Sequence, residues 1–431
     1  MASILLRGMI LPMTGSGDFY PQGEIAIKGD SIFHVGPIGT TPESFISDQV
    51  LDLPNDVFMP GLVNTHTHAA MTILRGYADD LPLMRWLNEK IWPFEEKLSD
   101  EDIYWGTSLA LCEMIMSGTT AMLDMYASME QVAEAVIQAG TRAVLSRGLI
   151  GNGPNGQRAL AENIELIKKY HGAGDGRVQV MFGPHAPYTC SGEFLREVSA
   201  EADKYGVGIH IHVAETKDEI DIIKEQYGKT PVQWLNELGL FKEQVVAAHC
   251  VHLTDEDMTI LADKRVSVAH NPESNMKLNS GTARIPEMLD RGITVGLGTD
   301  GASSNNNLDL FGEMRTAAFQ QKLVVNSTAL PAYQVLEMAT VNGAKALGLS
   351  TGVLAPGYKA DIISVNFDQP HFYPRFSIPA HLVYSANGGD VRTTIVNGKI
   401  LMQDRKLVTL DKDKICSEVE TRAKKIAAQF E

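Results

Sequence analysis

Two histidines one residue apart, His66-Thr-His68, end the apolar run that starts at Gly61. If a strand continues through them they share a face, because side chains alternate along a strand, and both imidazoles can reach one metal ion. Such a pair alone is a weak signal. Here two more donor types stand at the ends of other apolar runs: His212 closes Val207-Gly-Ile-His-Ile-His, and Asp300 closes Thr294-Val-Gly-Leu-Gly-Thr. Nitrogen and carboxylate donors around an open position suit zinc, with iron or manganese a poorer match. Glu215 lies three residues beyond His212, an offset that can set a carboxylate beside a metal rather than on it. Metal-assisted hydrolysis needs one group to take a proton from the water and another to protonate what the water attacks. Glu215, His249 and Asp300 are the well-placed residues for that work. A glutamate at a strand end is as often a helix cap or ion-pair partner, so position alone leaves Glu215 open.

The chain has 12 histidines, and half of them (His66, His68, His185, His212, His249 and His270) fall at or near the ends of apolar runs. Random scatter would not do that. His210, one pleat before His212, is expected to pack deeper, and His270 either supports the site or binds metal. His34, His171, His371 and His381 carry no local signal.

Something must carry those run ends to one place. Eight short apolar runs lie between Pro60 and about Leu349, each followed by a longer amphipathic stretch, which predicts a (β/α)8 TIM barrel with its chemistry at the C-terminal strand ends. A doubly wound sheet is the alternative, but it would not gather eight strand ends around one site. Residues 99–118 show the helix grammar: Ser99 with Asp102 resembles a capping box, and Gly118 stands where a C′ glycine belongs. Both ends of the chain read as hairpins, with Gly29-Asp30 and Asn397-Gly398 as turns. Neither end can bury a core alone, so residues 1–59 and 350–431 are expected to form one small β-sandwich domain around a catalytic domain of residues 60–349. From about Lys412 the chain is charged and reads as helix. The connection 69–98 is long for a compact domain and holds two of the four tryptophans. It reads as a lid over the metal, or as a short helix that closes the barrel mouth.

Composition narrows the partners. The 431 residues carry 37 basic and 53 acidic side chains, a formal charge of -16, which argues against binding a nucleic-acid backbone. No run approaches the roughly 18 apolar residues of a membrane helix, and Arg7 interrupts the apolar start, so neither a span nor a signal peptide is expected. Cys112, Cys190, Cys250 and Cys416 form no CxxC pair, against both a disulfide framework and a cysteine zinc site. The expectation is a cytoplasmic protein. No segment marks an oligomer interface, and a homo-oligomer stays open.

The motifs together resemble the amidohydrolase superfamily, in its cytosine-deaminase and chlorohydrolase-like branch. They are Pro60-Gly-Leu-Val-Asn-Thr-His66-Thr-His68, His212-Val-Ala-Glu215, His249 and Gly298-Thr-Asp300-Gly-Ala-Ser-Ser-Asn-Asn. Four other segments are similar to the 5-methylthioadenosine/S-adenosylhomocysteine deaminases: Met71-Thr-Ile-Leu-Arg-Gly, Trp92-Pro-Phe-Glu95, Gly183-Pro-His185-Ala-Pro-Tyr188 and Asn275-Met-Lys-Leu-Asn-Ser-Gly281. The resemblance covers nearly the whole chain, including the split β domain. It implies hydrolytic deamination of 5′-methylthioadenosine and S-adenosylhomocysteine, with adenosine as a further substrate, to the inosine analogues and ammonia. Aminohydrolases of free heterocyclic bases such as guanine or triazines share most of these marks and are the alternative.

By the same resemblance His66, His68, His212 and Asp300 match the ligands of one Zn2+ per chain, and Glu215 and His249 match the proton-handling residues. Glu95, Arg147 and, more loosely, Arg158 match sugar-recognition positions. His185, Glu215 and Asp300 match further substrate contacts. Two-metal members place a carboxylated lysine at the end of strand four, whereas no lysine lies between Lys169 and Lys204 here. Some barrels of the superfamily have become scaffold proteins by losing metal ligands; all the matching positions are present in this chain.

Overall fold

The computed structural model describes residues 3–81, 83–151, 153–242 and 244–430, without the side chains of Leu83 and Met84. Pro82 of the 69–98 connection and Asn152 of the Gly151–Gly156 loop therefore lie outside the described residues.

Eight parallel strands form the barrel: β5 (Leu62–His68), β6 (Thr119–Tyr126), β7 (Arg142–Leu149), β8 (Val178–Pro184), β9 (Ile209–Val213), β10 (Val245–His249), β11 (Ser267–His270) and β12 (Val295–Leu297), in sequence order around the sheet. These are the eight apolar runs. Leu297 of β12 pairs with Asn64 of β5 and closes the sheet. A two-residue strand, β13 (Asp300–Gly301), continues beside β5 with Asp300 opposite Thr67. Side chains stitch this seam: the Asn64 amide donates to Thr299 Oγ1 at 2.7 Å, and the Thr67 hydroxyl donates to the Asp300 carbonyl at 3.0 Å. Closure thus brings Asp300 against the two histidines of β5.

Below the rim, Val63, Leu123, Val144, Met181, Val246 and Ala269 fill the barrel interior, with Ala344 and Leu347 beneath them. Between Asn64 and Thr67, β5 carries one residue more than β6. That bulge shifts the alternation, so odd-numbered Val63 and even-numbered His66 and His68 all face inward. Bulges of this kind re-aim side chains next to active sites. Gly298 is required by packing, since a β-carbon there would come within 2.4 Å of Asn271 Oδ1 and 2.9 Å of the His66 nitrogen.

The chain ends share an eight-stranded sheet that contains β1 (Ser3–Ile10), β2 (Tyr20–Lys28), β3 (Ser31–Pro37), β4 (Gln49–Pro60), β14 (Ile362–Asn366), β15 (Val391–Val396), β16 (Lys399–Gln403) and β17 (Lys406–Leu407). Its order is β17-β16-β15-β14-β4-β1-β2-β3, so β4 and β14 join the two ends antiparallel. The sheet curls over its own core of Leu6, Ile25, Ile27, Phe58, Ile362 and Ile395. The tips of two hairpins then touch: a β-carbon on Gly398 would sit 1.9 Å from the Gly29 carbonyl oxygen, and Gly398 has φ +71°. An ion pair fastens this sheet to the barrel, with Arg142 Nε 2.8 Å from Asp361 Oδ2, both buried.

Helix Asp100–Met116 starts at the Ser99–Asp102 capping box, and Gly118 has φ +87°. The last helix, Lys412–Ala427, packs on it, with Arg422 Nη1 3.0 Å from Asp102 Oδ1. No described helix is long and apolar enough to cross a membrane.

Candidate active site at the barrel mouth

The C-terminal strand ends open into a cavity of about 250 Å³. His68, His185, His212, Glu215, His249 and Asp300 line its floor and wall, and Glu95 and Arg147 line its sides. Seven of these eight lie at or near the ends of six different strands, and barrel closure is what assembles them. His66 lies just beneath, fully buried.

Two overlapping sets of donor atoms fit a metal ion, each within 4.8 Å of one another: His66, His68 and Asp300, and His66, His212 and His249. His66 belongs to both. Asp300 Oδ1 stands 3.5 Å from His66 Nε2 and 3.3 Å from His68 Nε2. Main-chain carbonyls orient two of the rings: His68 Nδ1 donates to Met125 O at 2.6 Å and His212 Nδ1 to His185 O at 2.7 Å. A nitrogen that donates to a carbonyl carries the proton, so in the neutral rings both Nε2 atoms offer their lone pairs to a metal. His66 Nε2 is buried with no hydrogen-bond partner among the described residues. Such an orphan is costly unless something positive meets it.

The electrostatics point the same way. Burial drives the His66 imidazole down to about 3 and keeps His212 well below its usual range. Burial also opposes charge on His68, yet the neighbouring Asp300 carboxylate overrides it and lifts His68 to about 9. Burial would raise Asp300, but the neighbouring His66 and His68 rings hold it well below the carboxylate range. An ionised carboxylate beside three imidazoles is a donor set that fits a divalent cation.

Glu215 and His249 stand together above this floor, with His249 Nε2 3.8 Å from Glu215 Oε2. Burial pushes the Glu215 carboxyl above its usual range, with His249 pulling against it. Asn275 Oδ1 lies 2.8 Å from His249 Nδ1 and orients that ring. Glu219 fixes the turn that carries Glu215: its two carboxylate oxygens accept the Ala214 and Glu215 N–H groups at 2.8 and 2.9 Å. Ala214, His249 and Asp300 all have left-handed backbone, with φ +54°, +73° and +60°. Strain of this kind costs on the order of 1–3 kcal/mol per residue and persists only where its surroundings enforce it.

The 69–98 connection is helical, as the second reading of it expected. Helical turns Leu83–Trp86, Leu87–Ile91 and Trp92–Glu95 close the barrel mouth, and Trp86, Leu87, Trp92 and Glu95 line the cavity. Glu95 takes no part in capping, because Ser99 caps its helix with Asp102. Its carboxylate instead accepts the Tyr126 hydroxyl. Arg147 Nε donates to Glu162 Oε2 at 2.8 Å and Nη1 to the Gly148 carbonyl at 2.6 Å. Arg158 does not reach the cavity: it is 70% exposed and 3.7 Å from Glu162, so it meets Arg147 only through that shared carboxylate. The reason is helical phase, since Arg158 and Glu162 are one turn apart on the outer face of Pro154–Tyr170. His185 lines the cavity, with burial lowering its imidazole to about 4.

Sequence reading gave no role to Tyr126, Glu219 or Asn275, although Asn275 opens one of the motifs quoted above. Tyr126 lies just two residues beyond Asp124 at the end of β6, where alternation could have found it. Glu219 follows Glu215 by one helical turn, and only the fold shows that it binds the preceding loop. His210 does more than pack, for its Nε2 lies 2.8 Å from His66 Nδ1.

A model of the amidohydrolase family matches residues 57–401. A 5-methylthioadenosine/S-adenosylhomocysteine deaminase of Desulfitobacterium hafniense is 74% identical over 99% of both chains. A 5′-deoxyadenosine deaminase of Methanosarcina mazei is 52% identical over 100% of this chain and 99% of its own. Among solved structures, an adenosine deaminase from Xanthomonas campestris with bound zinc superimposes with a TM-score of 0.96, at 32% identity over 99% of both chains.

Proposed function

Because the chain belongs to the amidohydrolase family, we propose that it is a zinc-dependent aminohydrolase that deaminates 5′-methylthioadenosine and S-adenosylhomocysteine, and adenosine as well, to the inosine analogues and ammonia. The observation that carries this reading is the joint placement, in one cavity, of metal donors on the floor and Glu95 on the side wall. A carboxylate there can accept hydrogen bonds from both ribose hydroxyls, a contact that a free base does not need. The relatives named for adenosine derivatives, matched over the full chain, support it.

His66, His68, His212 and Asp300 are assigned to hold one zinc ion per chain. A zinc ion held there would supply Lewis acidity, lowering the pKa of water from 15.7 toward about 7. Glu215, which burial makes a weaker acid, protonates the ring nitrogen next to the amine-bearing carbon as water attacks that carbon. His249 and Asp300 take up the proton that the water gives up and return it to the departing amine. Ammonia leaves, the second proton of the water returns to Glu215, and the product keeps an oxo group and the ring N–H. Glu95 and Arg147 bind the sugar side, and His185 the wall beside His212. The lid tryptophans keep bulk water off the reacting carbon.

The same reading makes the protein cytoplasmic, and it requires no homo-oligomer, since every residue of the scheme comes from one chain. Ammonia release from a panel of adenosine derivatives, guanine and triazines tests it. Turnover confined to free bases would replace it with the base-deaminase alternative.

A further inference from the structure

Beneath the site a hydrogen-bonded line runs through the barrel interior: Asp124 carbonyl, Ser146 hydroxyl, His210 ring, His66 ring. Ser146 Oγ donates to Asp124 O at 2.9 Å. Ser146 Oγ also lies 3.0 Å from His210 Nδ1, and His210 Nε2 lies 2.8 Å from His66 Nδ1. All three side chains have zero exposure, so no solvent can exchange for these partners.

The direction of the protons follows from the carbonyl at the far end, which can only accept. With the Ser146 hydrogen committed to Asp124 O, the Ser146 oxygen must accept, so His210 carries its proton on Nδ1. His210 Nε2 then must accept, and His66 carries its proton on Nδ1. His66 Nε2 is left as a bare lone pair, 3.5 Å from Asp300 Oδ1 and without a hydrogen-bond partner among the described residues. The reverse arrangement breaks the bond to Asp124 and places a proton on His66 Nε2, where a ligand needs a lone pair.

We infer that Ser146 and His210 are positioning residues that set the tautomer of His66 and thereby the affinity of the metal site. The inference rests on the assignment of His66 as a zinc ligand. The other two histidines of the set obtain their tautomer from main-chain carbonyls. His66 Nδ1 meets His210 instead and reaches a carbonyl two side chains away.

Zinc affinity, read by competition with a chelating dye on the metal-free protein, tests the relay without any substrate. Ser146→Ala removes a single oxygen and lets His210 adopt the wrong tautomer, so zinc should bind about 10- to 100-fold more weakly, the usual range for such outer partners. Because the serine acts through the imidazole, Ser146→Ala should cause no further loss in a His210→Ala background. Native affinity in Ser146→Ala, or an undiminished loss in that background, overturns the relay. Histidine 15N NMR of the native metal-free protein gives an answer that needs no variant: His210 should be protonated on Nδ1, and protonation on Nε2 overturns the proposal. His66→Ala is the control for the underlying assignment. If it keeps native zinc affinity, the ligand assignment falls; if it loses zinc while Ser146→Ala does not, the relay alone falls.

Discussion

Tyr126, at the end of β6, gives its hydroxyl hydrogen to the carboxylate of Glu95 on the lid helix, so the barrel wall holds the residue assigned to the ribose. Burial raises the Glu95 carboxyl above its usual range, against the pull of the Tyr126 hydrogen bond. Glu95→Ala should therefore hurt nucleoside substrates severely and leave slow turnover of a free base much less affected. Losing a charged partner for a buried hydroxyl costs about 1.5–3 kcal/mol, or roughly 10- to 150-fold in kcat/KM. Tyr126→Phe leaves the carboxylate but frees its orientation, and should act on the same substrates with a smaller loss. Equal loss on nucleosides and bases would remove Glu95 from sugar binding.

Metal content is the second expectation. Purified protein should hold one zinc ion per chain, and His68→Ala should lose both metal and turnover. Elemental analysis alongside activity checks it. Two tightly held ions, each needed for turnover, would contradict the four-ligand site.

Glu215→Gln separates chemistry from binding. The substitution leaves the proposed ligands in place and removes the transferable proton, so zinc should stay while kcat falls by roughly 10²–10⁴-fold. Near-native turnover with zinc retained would shift proton transfer to His249 or Asp300.

Glu219 predicts a pH dependence of stability. Burial pushes its carboxyl from the ordinary 4.5 up to about 8, against the pull of the Ala214 and Glu215 N–H groups. The unfolded chain loses this proton near 4.5 while the folded protein holds it to about 8, so this group's contribution to stability falls as pH rises between the two. Glu219→Gln does not titrate. The urea stability of the variant relative to native protein should rise from pH 5 to pH 8, and parallel curves would show that the group titrates normally. Turnover of the variant should also drop, because Glu219 anchors the backbone of Glu215.

The two arginines should part company. Arg147 lines the cavity and Arg158 is largely exposed. Arg147→Ala should lower kcat/KM on nucleosides, whereas Arg158→Ala, which removes only an exposed pairing with Glu162, should stay within a few-fold of native. A severe loss in Arg158→Ala would mean that the substrate draws the first turns of the Pro154–Tyr170 helix inward.

The amino-acid sequence alone determined what is periodic or local. All eight barrel strands were legible as apolar runs, because a strand buried on both faces needs a continuous apolar stretch. The Ser99 cap, the two glycine turns and the His66-Thr-His68 pair were legible because each is decided by residues a few positions apart. Resemblance to a family supplied the roles of Glu95 and Arg147, which no local pattern marks. Tertiary structure decided what depends on closure and phase. The barrel seam puts Asp300 beside His66 and His68 across more than 230 residues of chain, and a single-residue bulge in β5 turns those histidines inward. The same closure converts His210 from a core histidine into the partner of His66, and helical phase carries Arg158 away from the cavity. Spacing along a chain fixes which face a side chain takes within its own element; which atom it meets across the barrel depends on register, bulge and twist, and those are settled only when all the strands pack at once.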